Sequence, residues 1–152
     1  MKVISVDPSS KLPAYALWEN GKLTYYGQMP FQRYSKTSMW NWYSLFKDVA
    51  VLIIERQYMG INAKSLITLS KSVGAIEALA VMSDTEIKEI MATTWQSKLL
   101  GGRLKRPQLK RLSKERASEL VGERIVSDDI ADAILIGEFY QIYMSGRRAN
   151  ER

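Results

Sequence analysis

The 152-residue chain contains no cysteine and no histidine. The absence of cysteine excludes disulfide bonds, thiolate catalysis and cysteine-ligated zinc, and it fits a reducing cytoplasm. The absence of histidine removes imidazole as a base, a nucleophile and a metal ligand. Any metal ion must therefore be held by oxygen atoms, which points to magnesium or manganese.

Long apolar segments are lacking as well. The start shows no secretory signal, and no apolar run looks long enough to span a bilayer. Since 46% of the residues are apolar, we expect residues 1–152 to form one domain with a substantial core. The expected location is the cytoplasm, with no membrane partner.

Positive charge is concentrated in one segment. Residues 98–116 carry a net charge of +7 and the rest of the chain −1. The cations of this segment are Lys98, Arg103, Lys105, Arg106, Lys110, Arg111, Lys114 and Arg116. Such a concentration is typical of a surface that binds a polyanion, although basic runs are often only solvated loops.

Apolar patterning predicts an α/β fold. Residues 51–54 read as a strand buried on both faces, as in a parallel sheet, and Asn20-Gly21 indicates a hairpin. The predicted strands are 3–7, 13–18, 23–27, 51–54 and 85–91. The predicted helices are 38–47, 62–81, 93–100, 113–121 with Ser113 as its cap, and 127–137.

The helix predicted over residues 62–81 has two apolar faces. One stripe consists of Leu66, Leu69, Val73, Ile76 and Ala80. The other consists of Ala63, Ile67, Ser70, Gly74, Ala78 and Val81. A surface helix of a monomer normally has one such face, so we predict a homodimer through this helix. The alternative is a helix buried between two layers of one domain.

Acidic residues stand at the ends of predicted elements. Asp7 ends the first strand and Glu55 ends the strand 51–54, where open α/β sheets bind ligands. Capping explains acids in the first turn of the last helix, but it does not explain Asp132 among apolar residues. Asp129 and Asp132 are three apart and share a face. If the two strands are neighbours, four carboxylates meet, and divalent cations would relieve their repulsion.

At these residues the sequence resembles the RuvC family of Holliday-junction resolvases, within the ribonuclease H-like superfamily. The resemblance rests on residues 4–10, on the Glu-x-x-aromatic-Met-x-x-Asn block at 55–62, and on the Asp-x-x-Asp-Ala motif at 129–133. It covers nearly the full length. It implies a mixed five-stranded sheet with helices on both faces and a junction-cleaving nuclease that uses two Mg²⁺ ions per site, with Mn²⁺ as a substitute.

The resemblance also implies residue roles. Asp7 would bridge both metals, Glu55 would complete one site, and Asp129 with Asp132 would complete the other. Asp128 also shares a face with Asp132, so spacing leaves both acids open, and the family pattern favours Asp129. The remaining implied residues are Tyr58 stacking at the crossover, Lys98 at the scissile phosphate, and the DNA-contacting Arg56, Arg103, Lys105, Arg106, Lys110, Arg111 and Lys114.

Two departures from the family pattern concern sequence preference. Ser9 replaces a usual glycine, and Pro107 interrupts a heavily charged segment. A compact member of this kind fits a bacterial or phage-infected cell. Two other functions stay open: a monomeric ribonuclease H-like nuclease acting on hybrids or branched DNA, and a DNA-binding module without catalysis.

Overall fold

The computed structural model describes residues 1–57, 60 and 62–146, and its centre is a mixed five-stranded sheet. The spatial order is β3-β2-β1-β4-β5. β1 runs antiparallel to β2 and parallel to β4, and β5 is parallel to β4. The strands are β1 (Lys2–Asp7), β2 (Ala14–Glu19), β3 (Lys22–Gln28), β4 (Val51–Glu55) and β5 (Glu86–Ile90).

Helices cover both faces of the sheet, which confirms the predicted α/β architecture. The helices are α1 (Lys36–Leu45), α2 (Ala63–Met82), α3 (Ala92–Leu100), α4 (Arg106–Val121) and α5 (Asp128–Phe139). A π-helical turn, Tyr140–Met144, continues α5 beyond the predicted end of the last helix.

Two apolar cores follow from the alternation of side chains along each strand. Val3, Val51 and Ile53 face α3, α4 and α5, whereas Ile4, Leu52 and Ile54 face α1 and α2. Because β1 and β4 are buried on both sides, their central residues are apolar apart from the buried Ser5 of β1. Asp7 and Glu55, the last residues of these two parallel strands, then lie at the same end of the sheet.

The basic segment differs from its prediction. Ser113 does not cap a helix; it is buried in the middle of α4, whose N-cap is Lys105. Pro107 occupies the first turn of α4, where its missing N–H removes no helical hydrogen bond. Residues 106–112, which lay outside the predicted helices, therefore form the first turns of α4, and this helix ends at Gly122 (φ +77°) as predicted.

Helix α2 has the two faces that the sequence predicts. The first stripe is partly or fully buried along its length, at Leu66, Leu69, Val73, Ile76 and Ala80. Ile76 and Ala80 belong to the apolar core on the α1 and α2 side of the sheet. The second stripe is exposed along its whole length, with Ile67 56% and Val81 62% accessible. The alternative of a helix buried between two layers is therefore wrong for this chain.

By length and composition alone, α2 is long and apolar enough to cross a membrane. The sequence had shown no apolar run that looked long enough to do so. This criterion is weak, because core helices of soluble proteins also meet it. One face of α2 packs against the sheet.

Gly137 allows α5 to lie directly on the sheet. A Cβ atom there would lie 2.6 Å from Ser5 Oγ and closer still to Trp18 Nε1. Real Cβ contacts are never this short, so only glycine permits the observed separation between α5 and strands β1 and β2. The close approach matters for function because α5 carries Asp132.

We predict that Gly137→Ala lowers the free energy of unfolding by roughly 1–3 kcal/mol, because overpacking forces the helix away from the sheet. Chemical denaturation measures this loss. Gly102→Ala is the control, since a Cβ atom there meets nothing within 4 Å. Equal stability of the two variants would contradict the inferred close packing.

Candidate functional site

Asp7 and Glu55 emerge side by side from the sheet. β1 and β4 are parallel neighbours with Val6 opposite Ile54, so the next residue of each strand is an acid at the same edge. The two strands are thus neighbours, which is the condition on which the expected meeting of the carboxylates depended. Both side chains are partly buried beneath the helices that cover this edge.

Helix α5 brings Asp132 to the same place. The Ser127 hydroxyl caps the helix by accepting a hydrogen bond from the Ile130 N–H at 3.2 Å. One turn further on, the buried Ser5 hydroxyl of β1 donates to the Ala133 carbonyl oxygen at 2.6 Å. This bond fixes the first two turns of α5 against the central strand, next to Asp7.

The acids strongly perturb one another. Burial raises the pKa of Asp7 well above its usual value, and the charges of Glu55, Asp132 and Asp129 raise it further. Burial, followed by the charge of Glu55, raises the pKa of Asp132 to about 7. Desolvation and like charge both penalise the ionised form, so this cluster holds protons near neutral pH unless cations neutralise it.

Ser113 of α4 lies beside this cluster. Its buried hydroxyl has no partner in ordinary hydrogen-bond geometry within the described part of the chain. It is nevertheless close enough to Asp132 to lower the pKa of that carboxyl and offset part of the effect of burial.

Trp95 is a site residue that sequence reasoning missed. Burial raises the pKa of Glu55, and the Trp95 indole opposes this shift by donating from Nε1 to Glu55 Oε2 at 3.0 Å. Trp95 lies within the helix predicted over 93–100, where the sequence does not distinguish it from a residue that only packs in the core. Only the folded chain brings α3 against the end of β4.

Asp128 and Asp129 have different surroundings. The carboxylate of Asp128 pairs with Lys110 at 2.9 Å and Lys114 at 3.2 Å, and the hydrogen bond from Lys110 leads the effects that lower its pKa. Asp129 is exposed, yet its charge raises the pKa of both Asp7 and Asp132. The charge of Asp128 also raises the pKa of Asp132, but only that of Asp129 acts on Asp7 as well. The lysine pairs of Asp128 connect α5 to the basic helix α4.

A cleft of about 780 Å³ opens over the acids. Glu55 and Asp132 lie on its wall together with Ser113. Its lining also includes three cationic side chains, Arg56, Arg106 and Lys110. Carboxylates that attract metal ions and cations that attract phosphate thus share one cavity.

Among the described residues, the other predicted DNA-contacting side chains do not line this cleft. Lys98 is exposed in the last turn of α3, Arg103 and Lys105 are exposed between α3 and α4, and Arg111 pairs with Glu115 at 3.0 Å. Lys114 pairs with Asp128. Tyr58 lies outside the described residues. The role of Lys98 at the scissile phosphate stays a prediction.

The chemistry of the donor set fits hard divalent cations. Asp7, Glu55 and Asp132 offer only oxygen atoms, and all three have raised pKa values that a nearby cation would reverse. Among residues 1–57, 60 and 62–146, no three acidic side chains are already arranged as a finished metal cage.

Comparison with solved structures identifies the fold. No protein-family model and no curated protein matches the sequence. The structure of RuvC from Thermus thermophilus superposes with a TM-score of 0.69, at 14% identity, over 94% of this chain and 95% of that chain. T. thermophilus RuvC in complex with Holliday junction substrate superposes with a TM-score of 0.72, at 14% identity, over 94% of each chain. The ribonuclease H-like fold expected from the resemblance is thereby confirmed.

We predict that, in buffer with EDTA, the free energy of unfolding falls as the pH rises from about 4 to about 7. Asp132 has a pKa of about 7 when folded against 3.8 when unperturbed, so the folded state binds more protons in this window. Asp132→Asn removes the cost of ionising this buried carboxyl, so we expect the free energy of unfolding to rise by roughly 1–4 kcal/mol at pH 8. Urea denaturation across this pH range measures both effects.

Asp48→Asn serves as the control, because Asp48 is exposed and lies after α1, outside the cluster. Parallel pH profiles for wild type and Asp132→Asn would contradict the assigned surroundings of Asp132. The control is expected to follow the wild-type profile.

Proposed function

We propose that the chain is a structure-specific endonuclease that resolves four-way DNA junctions by paired nicks, leaving 5′-phosphate and 3′-hydroxyl ends. The observation that carries this proposal is the buried group of mutually repelling carboxyls beside a basic helix. It occurs on a fold shared with a RuvC that was solved with Holliday junction substrate.

The proposed cofactors are two Mg²⁺ ions, or Mn²⁺ in their place. Asp7 and Glu55 would hold them from the sheet, and Asp132 with Asp129 from α5. When bound, such ions supply a nucleophilic water at neutral pH and neutralise charge on the leaving oxygen. The protein contributes fixed positions for its carboxylates, because β1, β4 and the start of α5 are joined by hydrogen bonds.

The proposed DNA surface begins at the cleft and extends along α4. Arg106 and Lys110 line the cleft, where they would attract the phosphate to be cut. Counter-ion release from many phosphates makes such binding steeply salt-dependent. The further proposed contacts are Arg56, Tyr58, Lys98, Arg103, Lys105, Arg111 and Lys114.

We also propose a homodimer through α2. The exposed stripe contains small residues that allow two helices to approach closely, and the opposite face is already used by the sheet. A two-fold dimer would present two identical sites to a four-way junction, whose opposing strands could then be cut symmetrically.

We predict that sedimentation velocity at micromolar concentration finds a dimer, and that Ile67→Lys converts it to a monomer by placing a charge in the interface. Tyr25→Lys on β3 is the matched control, since both side chains are 56% exposed. A wild-type monomer would contradict the dimer and leave the nuclease proposal standing.

The decisive assay compares a synthetic four-way junction with a linear duplex, in Mg²⁺ or EDTA. We predict paired nicks near the crossover only in the junction and only with metal. Asp7→Asn should abolish cleavage and retain junction binding in a gel-shift assay, because it removes a carboxylate at the sheet edge and leaves the basic surface intact.

Three other results would change the proposal. Cleavage of branched substrates in general would keep the nuclease and remove the junction specificity. Preferential cutting of RNA–DNA hybrids would favour another ribonuclease H-like activity. Junction binding without any cleavage by the wild type would contradict the nuclease.

A further inference from the structure

Trp95 occupies an unusual position for a core residue. It is fully buried, in the same core as Ile53, Ile134 and Leu135, yet its only polar atom points at the acidic edge of the sheet. The indole N–H donates and cannot accept or bind a metal ion. Its hydrogen bond to Glu55 Oε2 at 3.0 Å satisfies the buried indole N–H and also restrains the carboxylate.

The main chain at Glu55 is independently fixed. The Arg56 N–H donates to the Ile90 carbonyl at 2.8 Å, which continues the β4–β5 ladder beyond the strand. The Gln57 amide donates from Nε2 to the Glu55 carbonyl at 3.1 Å. The remaining freedom of Glu55 lies in its side-chain torsions, and the Trp95 hydrogen bond restrains these.

We infer that Trp95 is a positioning residue for the proposed metal site: its indole N–H holds Oε2 of Glu55 so that Oε1 is presented towards Asp7 and Asp132. This inference rests on the proposed function. A carboxylate held in this way need not be ordered when an ion binds, and such outer hydrogen bonds typically change metal affinity by about 10- to 100-fold.

The choice of donor supports this role. A neutral indole restrains Glu55 and leaves its negative charge available to a cation. Asp128, one turn before Asp132, is held instead by the ammonium groups of Lys110 and Lys114, which neutralise it. Glu55 is thus restrained by a neutral donor and Asp128 by two cations. Only the restraint on Glu55 leaves a carboxylate whose charge is available to a metal ion.

The chain provides a matched control in Trp18. This residue is also buried, at 4% exposure, and belongs to the same apolar core as Trp95. Its Nε1 has no hydrogen-bond partner within the described residues. Trp18→Phe and Trp95→Phe therefore remove the same atoms from the same core, and only the second removes a hydrogen bond to an acid.

The test titrates Mn²⁺ into each protein without DNA, followed by electron paramagnetic resonance, and then measures junction cleavage against Mg²⁺ concentration. For Trp95→Phe we expect Mn²⁺ affinity to fall about 10- to 100-fold, and the half-saturating Mg²⁺ concentration to rise in parallel. Its kcat at saturating Mg²⁺ should approach that of the wild type. Trp18→Phe should leave both metal dependences near the wild-type values.

Equal metal dependence in the two variants would overturn the positioning role, because loss of core volume alone would then explain the effect. Wild-type affinity in a folded Trp95→Phe would overturn it as well. If Trp95→Phe does not fold, 3-benzothienylalanine at position 95 keeps the bicyclic shape without the N–H, and the same weakening is expected. A wild type that binds no Mn²⁺ and cuts no junction would overturn the proposed function itself.

Discussion

The structure depends on holding several carboxyl groups together at a partly buried edge of the sheet, where burial and neighbouring negative charges oppose the ionisation of Asp7 and Asp132. Parallel pairing of β1 with β4 brings Asp7 beside Glu55, and the bond from Ser5 to Ala133 fixes Asp132 next to them. Burial and like charge both favour the protonated acids in the absence of cations, so this arrangement costs stability as the pH rises. The packing that fixes these residues must outweigh that cost.

Much of this could be predicted from the sequence because the signals are local. Continuous apolar residues before an acid mark the end of a buried strand, as at residues 51–55, and a small polar residue before a helix marks its cap, as at Ser127. Asp132 was informative because it stands among apolar residues on α5, where a carboxylate is unfavourable without a partner. These signals define the fold and the acidic group at its edge.

Other features required the folded chain. In the sequence Trp95 looks like an ordinary helix position and Ser113 like a helix cap. Their proximity to Glu55 and Asp132 arises from the packing of α3 and α4 on α5. The basic segment looked like a loop because its charge is high and Pro107 seemed to interrupt it. In the structure Pro107 lies in the first turn of α4, which begins at Arg106. Sequence also could not separate Asp128 from Asp129, since the pairing of Asp128 with Lys110 and Lys114 arises from the packing of α4 beside α5.

The two walls of the cleft are attached to the protein differently. The α5 wall has seven buried residues and touches the sheet directly at Gly137, whereas α4 buries only Ser113 and Ala117 and is otherwise solvated. Amino-acid substitutions are therefore far less well tolerated on α5 than on α4. Over generations, changes in the shape and charge of the cleft can accumulate on α4 while the acidic centre stays the same.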